Sequence, residues 1–233
     1  SGRSVWTPRM TAPQPPPGPK PATIRWLRTI RFAAYALAAM LAVGTGAALW
    51  LKQDAGVEQR LGGMSVPPSV SIGGPFSLTD HTGAAVTDAT YRGRMMLIFF
   101  GFTHCPDICP TELQVMAEVL DRLGEDAARV APIFISVDPE RDTPEALARY
   151  VDLFDPRIIG LTGSPEQIGA VARAYRVYYA RVHPPDSTTY TMDHSSFVYL
   201  MDAEGRFAAL FRHGAPAAEI AGTVAAHLRR PGV

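Results

Sequence analysis

Short apolar runs alternate with segments of helical periodicity from Phe76 to the end of the chain. Uninterrupted apolar runs are typical of strands buried on both faces, whereas apolar residues at helical spacing are typical of helices packed on a core. The strands predicted in this way are residues 95–100, 132–137, 158–161, 196–201 and 207–211. The last two flank a turn at Glu204 and Gly205, which predicts a hairpin.

Proline and capping side chains mark where helices begin between these strands. The predicted helices start at Pro110, at Thr143 with Pro144, at Ser164 with Pro165, and at Pro216. The apolar face of the third helix is predicted to run inward from Ile168 to Tyr178. The resulting order, β-α-β-α-β-α-β-β-α, predicts an α/β domain of thioredoxin-like fold, with a central mixed sheet flanked by helices.

A longer uncharged segment, residues 32–51, precedes this domain. At a rise of about 1.5 Å per residue, a helix of this length covers about 30 Å, the thickness of a bilayer's hydrocarbon core. The apolar stretch of a cleaved signal peptide is shorter, about 7–15 residues, so one transmembrane helix is predicted. Small residues around Thr45 leave a cleaved signal as the alternative.

Charge predicts the orientation of this helix. The chain carries 22 basic and 22 acidic residues, but residues 1–31 hold six basic residues and no acidic one. By the positive-inside rule, the N-terminus is cytoplasmic and the domain lies on the other side of the membrane. This topology fits a bacterial inner membrane with a periplasmic domain, or a mitochondrial inner membrane with the domain in the intermembrane space. Because the basic excess lies in the tail, nucleic-acid binding by the domain is excluded.

The predicted organisation therefore has four parts. A disordered, basic, proline-rich cytoplasmic tail (residues 1–31) leads into the transmembrane helix (32–51), a linker (52–68) and the thioredoxin-like domain (69–233).

Two cysteines, Cys105 and Cys109, lie in the segment GFTHCPDICP ahead of the first predicted helix. A disulfide that closes so short a loop stabilises little, which favours reactivity or metal binding over a structural role. Cys109 precedes Pro110 and is predicted at or near the helix N-cap, where free N–H groups favour a thiolate. Two thiolates suit a soft ion such as Cu(I). An inert disulfide or a pair of buried thiols is the alternative.

A third ligand is sought among the six histidines. His194 directly precedes the strand at 196–201, and in a thioredoxin-like fold the loop entering that strand packs against the cysteine motif. His194 is therefore the predicted imidazole ligand, with a surface or core histidine as the alternative. His104 is predicted to face away from Cys105, His183 to be solvated, and Met192 to fill space rather than to ligate.

Asp138, in SVDPERDTP, follows the second predicted strand at the same sheet edge as the cysteines. Two roles remain open for it. It either orients or weakly ligates at the His194 site, or it caps its own loop together with Arg141 and Asp142.

Three segments, GFTHCPDICP, SVDPERDTP and DHSSFVYLMD, follow a single predicted span in this order. Together they closely resemble the SCO/SenC family of cytochrome c oxidase assembly proteins, over roughly residues 76–229. The resemblance implies copper bound by Cys105, Cys109 and His194. It also implies a part in metallating, or in reducing the cysteines of, the binuclear copper site of oxidase subunit II.

Three functions are consistent with these residues. The leading one is a copper metallochaperone that carries Cu(I), with Cu(II) as the alternative cargo, between an upstream copper donor and subunit II. The second is a thiol-disulfide reductase, supplied by a thiol reductant, in which Cys105 and Cys109 keep the copper-site cysteines reduced. The third is a peroxidase-like relative, which needs an activated cysteine beside an arginine. Only the first requires His194.

Overall fold

A seven-stranded mixed sheet forms the centre of the domain in the computed structural model, which describes residues 71–185 and 188–229 and seven residues between 30 and 41. The strands are β1 Ser77–Asp80, β2 Ala85–Thr87, β3 Met95–Gly101, β4 Val130–Ser136, β5 Ile159–Thr162, β6 Tyr179–Val182, β7 Thr191–His194, β8 Phe197–Met201 and β9 Phe207–Arg212. The helices are α1 Ile108–Leu123, α2 Pro144–Val151, α3 Pro165–Ala174 and α4 Ala217–Leu228.

The sheet has the order β2-β1-β5-β4-β3-β8-β9. Strands β3 and β4 pair in parallel at its centre, and every residue of both is buried. This explains why their sequences are continuous apolar runs without alternation. Strands β8 and β9 form the predicted hairpin, and β8 pairs antiparallel with β3. The predicted α/β class, with a mixed sheet and flanking helices, is confirmed.

Helices α2 and α3 begin where the capping signals predict. Thr143 caps α2 by accepting a hydrogen bond from the Ala146 N–H at 3.2 Å. Ser164 and Gln167 form a reciprocal capping box at the start of α3. Helix α2 packs on β5, and α1 packs against α4.

One packing prediction is wrong, because Tyr178 does not face inward. Helix α3 ends at Ala174, and Tyr175 is the last buried residue of its apolar face. Arg176 then takes a left-handed conformation, with φ of 58°, which turns the chain out of the helical path. Tyr178 is consequently 60% exposed.

Two strand pairs were not predicted. Strands β1 and β2 form an antiparallel hairpin of which only Leu78 and Val86 are buried. Strands β6 and β7 form a separate two-stranded sheet within the polar segment between 179 and 194. Both pairs are short and largely solvent-facing, so neither produces an apolar run.

The topology brings three segments to one edge of the sheet. The parallel strands β3 and β4 end there, and the antiparallel strand β8 begins there. The cysteine segment follows β3, Asp138 follows β4, and His194 precedes β8.

The predicted linker (52–68), the predicted tail (1–31) apart from residue 30, and most of the predicted span (32–51) lie outside the described residues. The described positions between 30 and 41 are helical. Within the described part of the chain, no helix combines the length and apolar character needed to cross a bilayer.

Candidate metal centre

The cysteine segment enters helix α1 earlier than predicted. The helix begins at Ile108 with Asp107 as its N-cap, so Cys109 lies inside the first turn and not at the cap. Pro110 is tolerated there because the first N–H groups of a helix have no intrahelical partner. The N–H of Cys109 is one of these groups, and it donates to Cys105 Sγ at 3.4 Å.

The two cysteines are free thiols that differ in exposure. Cys109 is fully buried, whereas Cys105 is half-buried. Gly101, the last residue of β3, makes room for the buried sulfur. A Cβ at Gly101 would lie 2.7 Å from Cys109 Sγ and 2.7 Å from Phe134 Cε2, closer than van der Waals contact allows.

His194 is the last residue of β7, and a single hydrogen bond sets its tautomer. Its Nδ1 lies 3.1 Å from the carbonyl oxygen of Ser195, which can only accept. Nδ1–H therefore donates, and Nε2 faces the cysteines, 3.7 Å from Cys109 Sγ. The rings of Phe99 and Phe102 meet the imidazole edge-on, with centroids at 6.1 and 5.8 Å.

The ligand atoms of Cys105, Cys109 and His194 all lie within 4.8 Å of one another. Two sulfurs and one imidazole nitrogen form a soft donor set of low coordination number, which suits Cu(I). The residues present therefore fit this metal. The three residues selected from the sequence are brought together by the fold, although they are separated by up to 89 positions along the chain.

The two thiols have opposite acidities. A hydrogen bond from the Cys109 side chain, against the effect of burial, lowers the pKa of Cys105 to about 3. The same hydrogen bond and burial raise the pKa of Cys109 above its usual range. At neutral pH the metal-free pair therefore holds its negative charge on Cys105 and its proton on Cys109.

Residues 65–229 match the SCO1/SenC protein family. The chain belongs to this family. It is 49% identical over 160 residues to the mouse protein named SCO1 homolog, mitochondrial, a match that covers 68% of this chain and 56% of the mouse protein. The chain thus spans about half the length of the curated relatives it matches.

Solved SCO structures share the same fold. The copper-bound structure of ScoI from Bradyrhizobium japonicum is 50% identical and superposes with a TM-score of 0.63, covering 67% of this chain and 99% of that one. The copper-bound ScoI of Arabidopsis thaliana is 45% identical with a TM-score of 0.64, covering 68% and 98%.

In this SCO1/SenC domain, Asp138 contacts its own loop and the β6–β7 hairpin rather than His194. Its buried carboxylate accepts hydrogen bonds from the Tyr190 hydroxyl at 2.9 Å and from the Arg141 Nε. The loop-capping interpretation is the one that these contacts match. Asp142 acts separately, since it accepts hydrogen bonds from the Thr103 N–H and hydroxyl at 3.0 and 2.6 Å.

The other soft or basic candidates lie where the sequence suggests. The side chain of His104 is 56% exposed, and its ring contacts Thr103. His183 is exposed beside Tyr190. Met192 is partly buried against the core and lines the same cavity as Cys105 and His194, but it is not among the clustered ligands.

Two supporting residues were missed by the sequence analysis. Gly101 follows the predicted strand at 95–100, and Tyr190 lies between the predicted third helix and the strand at 196–201. A glycine closing an apolar strand directly before a cysteine motif was a usable signal for close packing. Nothing in the sequence indicated that Tyr190 contacts Asp138, because 52 positions separate them.

Proposed function

We propose that this domain is a copper metallochaperone that binds Cu(I) through Cys105, Cys109 and His194. The observation that carries the proposal is the clustering of two sulfurs and one imidazole nitrogen within 4.8 Å. Membership of a family in which solved relatives hold copper supports it. The cargo's destination in this proposal is the binuclear copper site of cytochrome c oxidase subunit II, and an upstream copper donor supplies it.

The ligands differ in a way that suits delivery. Cys109 is buried and anchored in helix α1, while Cys105 is half-buried and carries the thiolate. A partner thiolate can therefore approach from the Cys105 side and exchange with one ligand at a time. Phe99 and Phe102 shield the imidazole.

Competition titration of the full chain in mild detergent, with a chromogenic Cu(I) chelator, tests this function. Changes to residues that merely support a metal ligand cost about 10–100-fold in affinity, so loss of a ligand should cost more. We expect Cys105→Ala and Cys109→Ala to abolish tight binding and His194→Ala to weaken it by more than about 100-fold. Wild-type affinity in His194→Ala would remove the third ligand from the proposal.

A thiol-disulfide reductase is the second candidate, favoured by the acid thiolate beside a protonated thiol. The Cys105 thiolate would attack a partner disulfide and form a mixed disulfide. Cys109 would then displace the partner's second sulfur, leaving the partner with two thiols and this protein with a disulfide. A thiol reductant must restore the pair. Normal oxidase assembly by His194→Ala cells under copper limitation, with failure of Cys105→Ser cells, would favour this candidate.

The proposed setting is a single-pass membrane protein with a cytoplasmic N-terminus. The uncharged segment at 32–51 and the basic residues before it support this topology. Similar proteins are found both in a bacterium and, by name, in mitochondria. The domain accordingly faces either the periplasm or the intermembrane space.

A further inference from the structure

His194, the proposed third ligand, lies on a two-stranded hairpin outside the central sheet. In the described part of the chain, β6 and β7 pair with each other and not with the seven-stranded sheet. His194 is the final residue of β7, and the hydrogen bonds of the β6–β7 ladder alone do not hold it over the cysteines. Strand β8, which begins three residues later at Phe197, holds one side of His194, and contacts between this hairpin and the rest of the domain hold the other side.

Tyr190, four residues before His194, makes the densest set of such contacts. Its hydroxyl donates to the buried carboxylate of Asp138 at 2.9 Å, and its carbonyl oxygen accepts from Arg141 Nη1 at 3.0 Å. The guanidinium of Arg141 lies over the tyrosine ring at 3.8 Å from the centroid, and that of Arg181 at 4.1 Å. One side chain and its own backbone thus join the hairpin to the loop after β4.

The loop after β4, to which Tyr190 joins the hairpin, also contacts the metal centre. Asp138 is 1% exposed and lies two residues after the end of the central strand β4, so its position is fixed by the core. Arg141 also lies over the ring of Phe102 at 5.9 Å, and Phe102 in turn meets His194 edge-on at 5.8 Å. A continuous set of contacts therefore runs from Tyr190 through Arg141 and Phe102 to the imidazole, beside the direct route along β7.

A second link between hairpin and loop is weaker. Arg181 on β6 pairs with Glu140 at 2.6 Å, but both side chains are substantially exposed, so solvent screens the pair. Tyr190 differs because it combines a hydrogen bond to a buried carboxylate with two stacked cations. Its phenol stays protonated and able to donate, since burial and Asp138 raise the pKa of Tyr190.

We infer that Tyr190 is a positioning residue, which, through Asp138 and Arg141, holds the β6–β7 hairpin so that His194 lies over the cysteine pair. This inference rests on the proposed copper site. Tyr190 would then control how much His194 contributes to Cu(I) affinity. The hairpin would be anchored at its end near the metal.

The test is a double-mutant cycle on the full chain, read by Cu(I) competition titration. Tyr190→Ala removes all side-chain contacts of the tether and leaves only the carbonyl bond to Arg141, whereas Tyr190→Phe removes only the hydrogen bond to Asp138. Each is measured with His194 intact and in the His194→Ala background. Tyr178→Ala is the matched control, because it deletes a tyrosine directly before β6 whose side chain is 60% exposed.

We expect Tyr190→Ala to weaken Cu(I) binding about 10-fold when His194 is present, in the range for residues that orient a metal ligand. In the His194→Ala background the same change should have almost no effect, since the ligand that it positions is gone. Tyr190→Phe should lie between wild type and Tyr190→Ala. Tyr178→Ala should bind as wild type.

A second readout needs no copper. In the metal-free protein, Tyr190→Ala should shift and broaden the imidazole nitrogen resonances of His194 in NMR spectra, while the core resonances stay in place. Wild-type affinity and an unchanged imidazole signal in Tyr190→Ala would overturn the inference. So would an equal loss of affinity in both backgrounds, which would indicate general damage to the fold.

The two proposals can fail separately. If the wild-type chain did not bind Cu(I), the proposed function would fall, and a displaced imidazole in Tyr190→Ala would still establish the positioning role. If binding depended on His194 while Tyr190→Ala changed neither the affinity nor the imidazole signal, the copper site would stand and only the tether would be refuted.

Discussion

Cys105 and Cys109 are chemically unequal although they belong to one short motif. The buried Cys109 thiol donates to Cys105, and the N–H of Cys109 points at the same sulfur. Hydrogen bonds to the charged form of a group favour that form, so the charge of the metal-free pair collects on the more exposed sulfur. Both metal exchange and thiol exchange would therefore begin at Cys105.

Alkylation of the reduced, metal-free protein checks this asymmetry. With its pKa lowered to about 3, Cys105 should be a thiolate throughout the range from about pH 5 to about pH 8. Its iodoacetamide rate, followed by mass spectrometry, should change little over that range. An ordinary thiol, with a pKa well above neutrality, would instead gain about tenfold in rate for each pH unit.

Cys109→Ala provides the control for this experiment. It removes the largest cause of the lowered pKa, so the pH dependence of an ordinary thiol should return at Cys105. A wild-type rate that climbed with pH as steeply as in Cys109→Ala would contradict the assigned asymmetry.

At the scale of elements, strand β3 and helix α1 meet where Gly101 packs against Cys109. β3 ends at Gly101, whose carbonyl oxygen accepts from the Val137 N–H at 2.8 Å and extends the pairing with β4. The missing side chain of Gly101 leaves the space that Cys109 Sγ occupies at the start of α1. The position of one proposed ligand is thus set by the end of a strand.

Gly101→Ala should therefore damage both stability and metal binding. The new methyl group would meet Cys109 Sγ and Phe134 Cε2 at 2.7 Å, and overpacking of this kind costs about 1–3 kcal/mol. Urea denaturation should show this loss in the free energy of unfolding, and Cu(I) affinity should fall because Cys109 is displaced.

Gly169→Ala in helix α3 is the matched control. The nearest atom to its new methyl group is the flexible end of Arg173, at 3.2 Å, and alanine favours a helix over glycine by about 0.5–1 kcal/mol. This variant should be as stable as wild type or slightly more stable. Unchanged stability and copper binding in Gly101→Ala would show that the strand end tolerates a side chain.

At the scale of the whole molecule, the prediction that remains to be tested is the membrane topology. A reporter enzyme fused after Val233 should be active only outside the cytoplasm, because arginines precede the uncharged segment at 32–51. The same reporter fused before Ser1 should be inactive, because the N-terminus is predicted to lie in the cytoplasm. The protein should also stay with the membranes through an alkaline wash, as expected for a helix that spans the bilayer.

A different result would identify the alternative. Domain recovered free of membranes, with a new N-terminus near Ala47, would show that the uncharged segment is a cleaved signal.

The sequence by itself determined those features that depend on local or periodic interactions. Parallel strands buried on both faces are nearly continuous apolar runs, so β3 and most of β4 were predictable from the local sequence. Capping side chains act within one turn, so Thr143 and Ser164 marked the starts of α2 and α3 correctly. Cys105, Cys109 and His194 were selected as candidate ligands from their residue types and from their places next to particular strands.

Only the tertiary structure decided the features that join distant segments. Cys109 enters the first helical turn, contrary to the local bias before Pro110, because α1 begins at Ile108. Neither strand of the hairpin that carries His194 contains a fully buried residue, so its sequence shows no apolar pattern that would predict it. Its joint at Tyr190 depends on a contact with Asp138 across 52 positions. Such contacts exist only once the sheet has brought the strand ends together, since hydrogen bonds and packing between distant residues leave no local pattern in the chain.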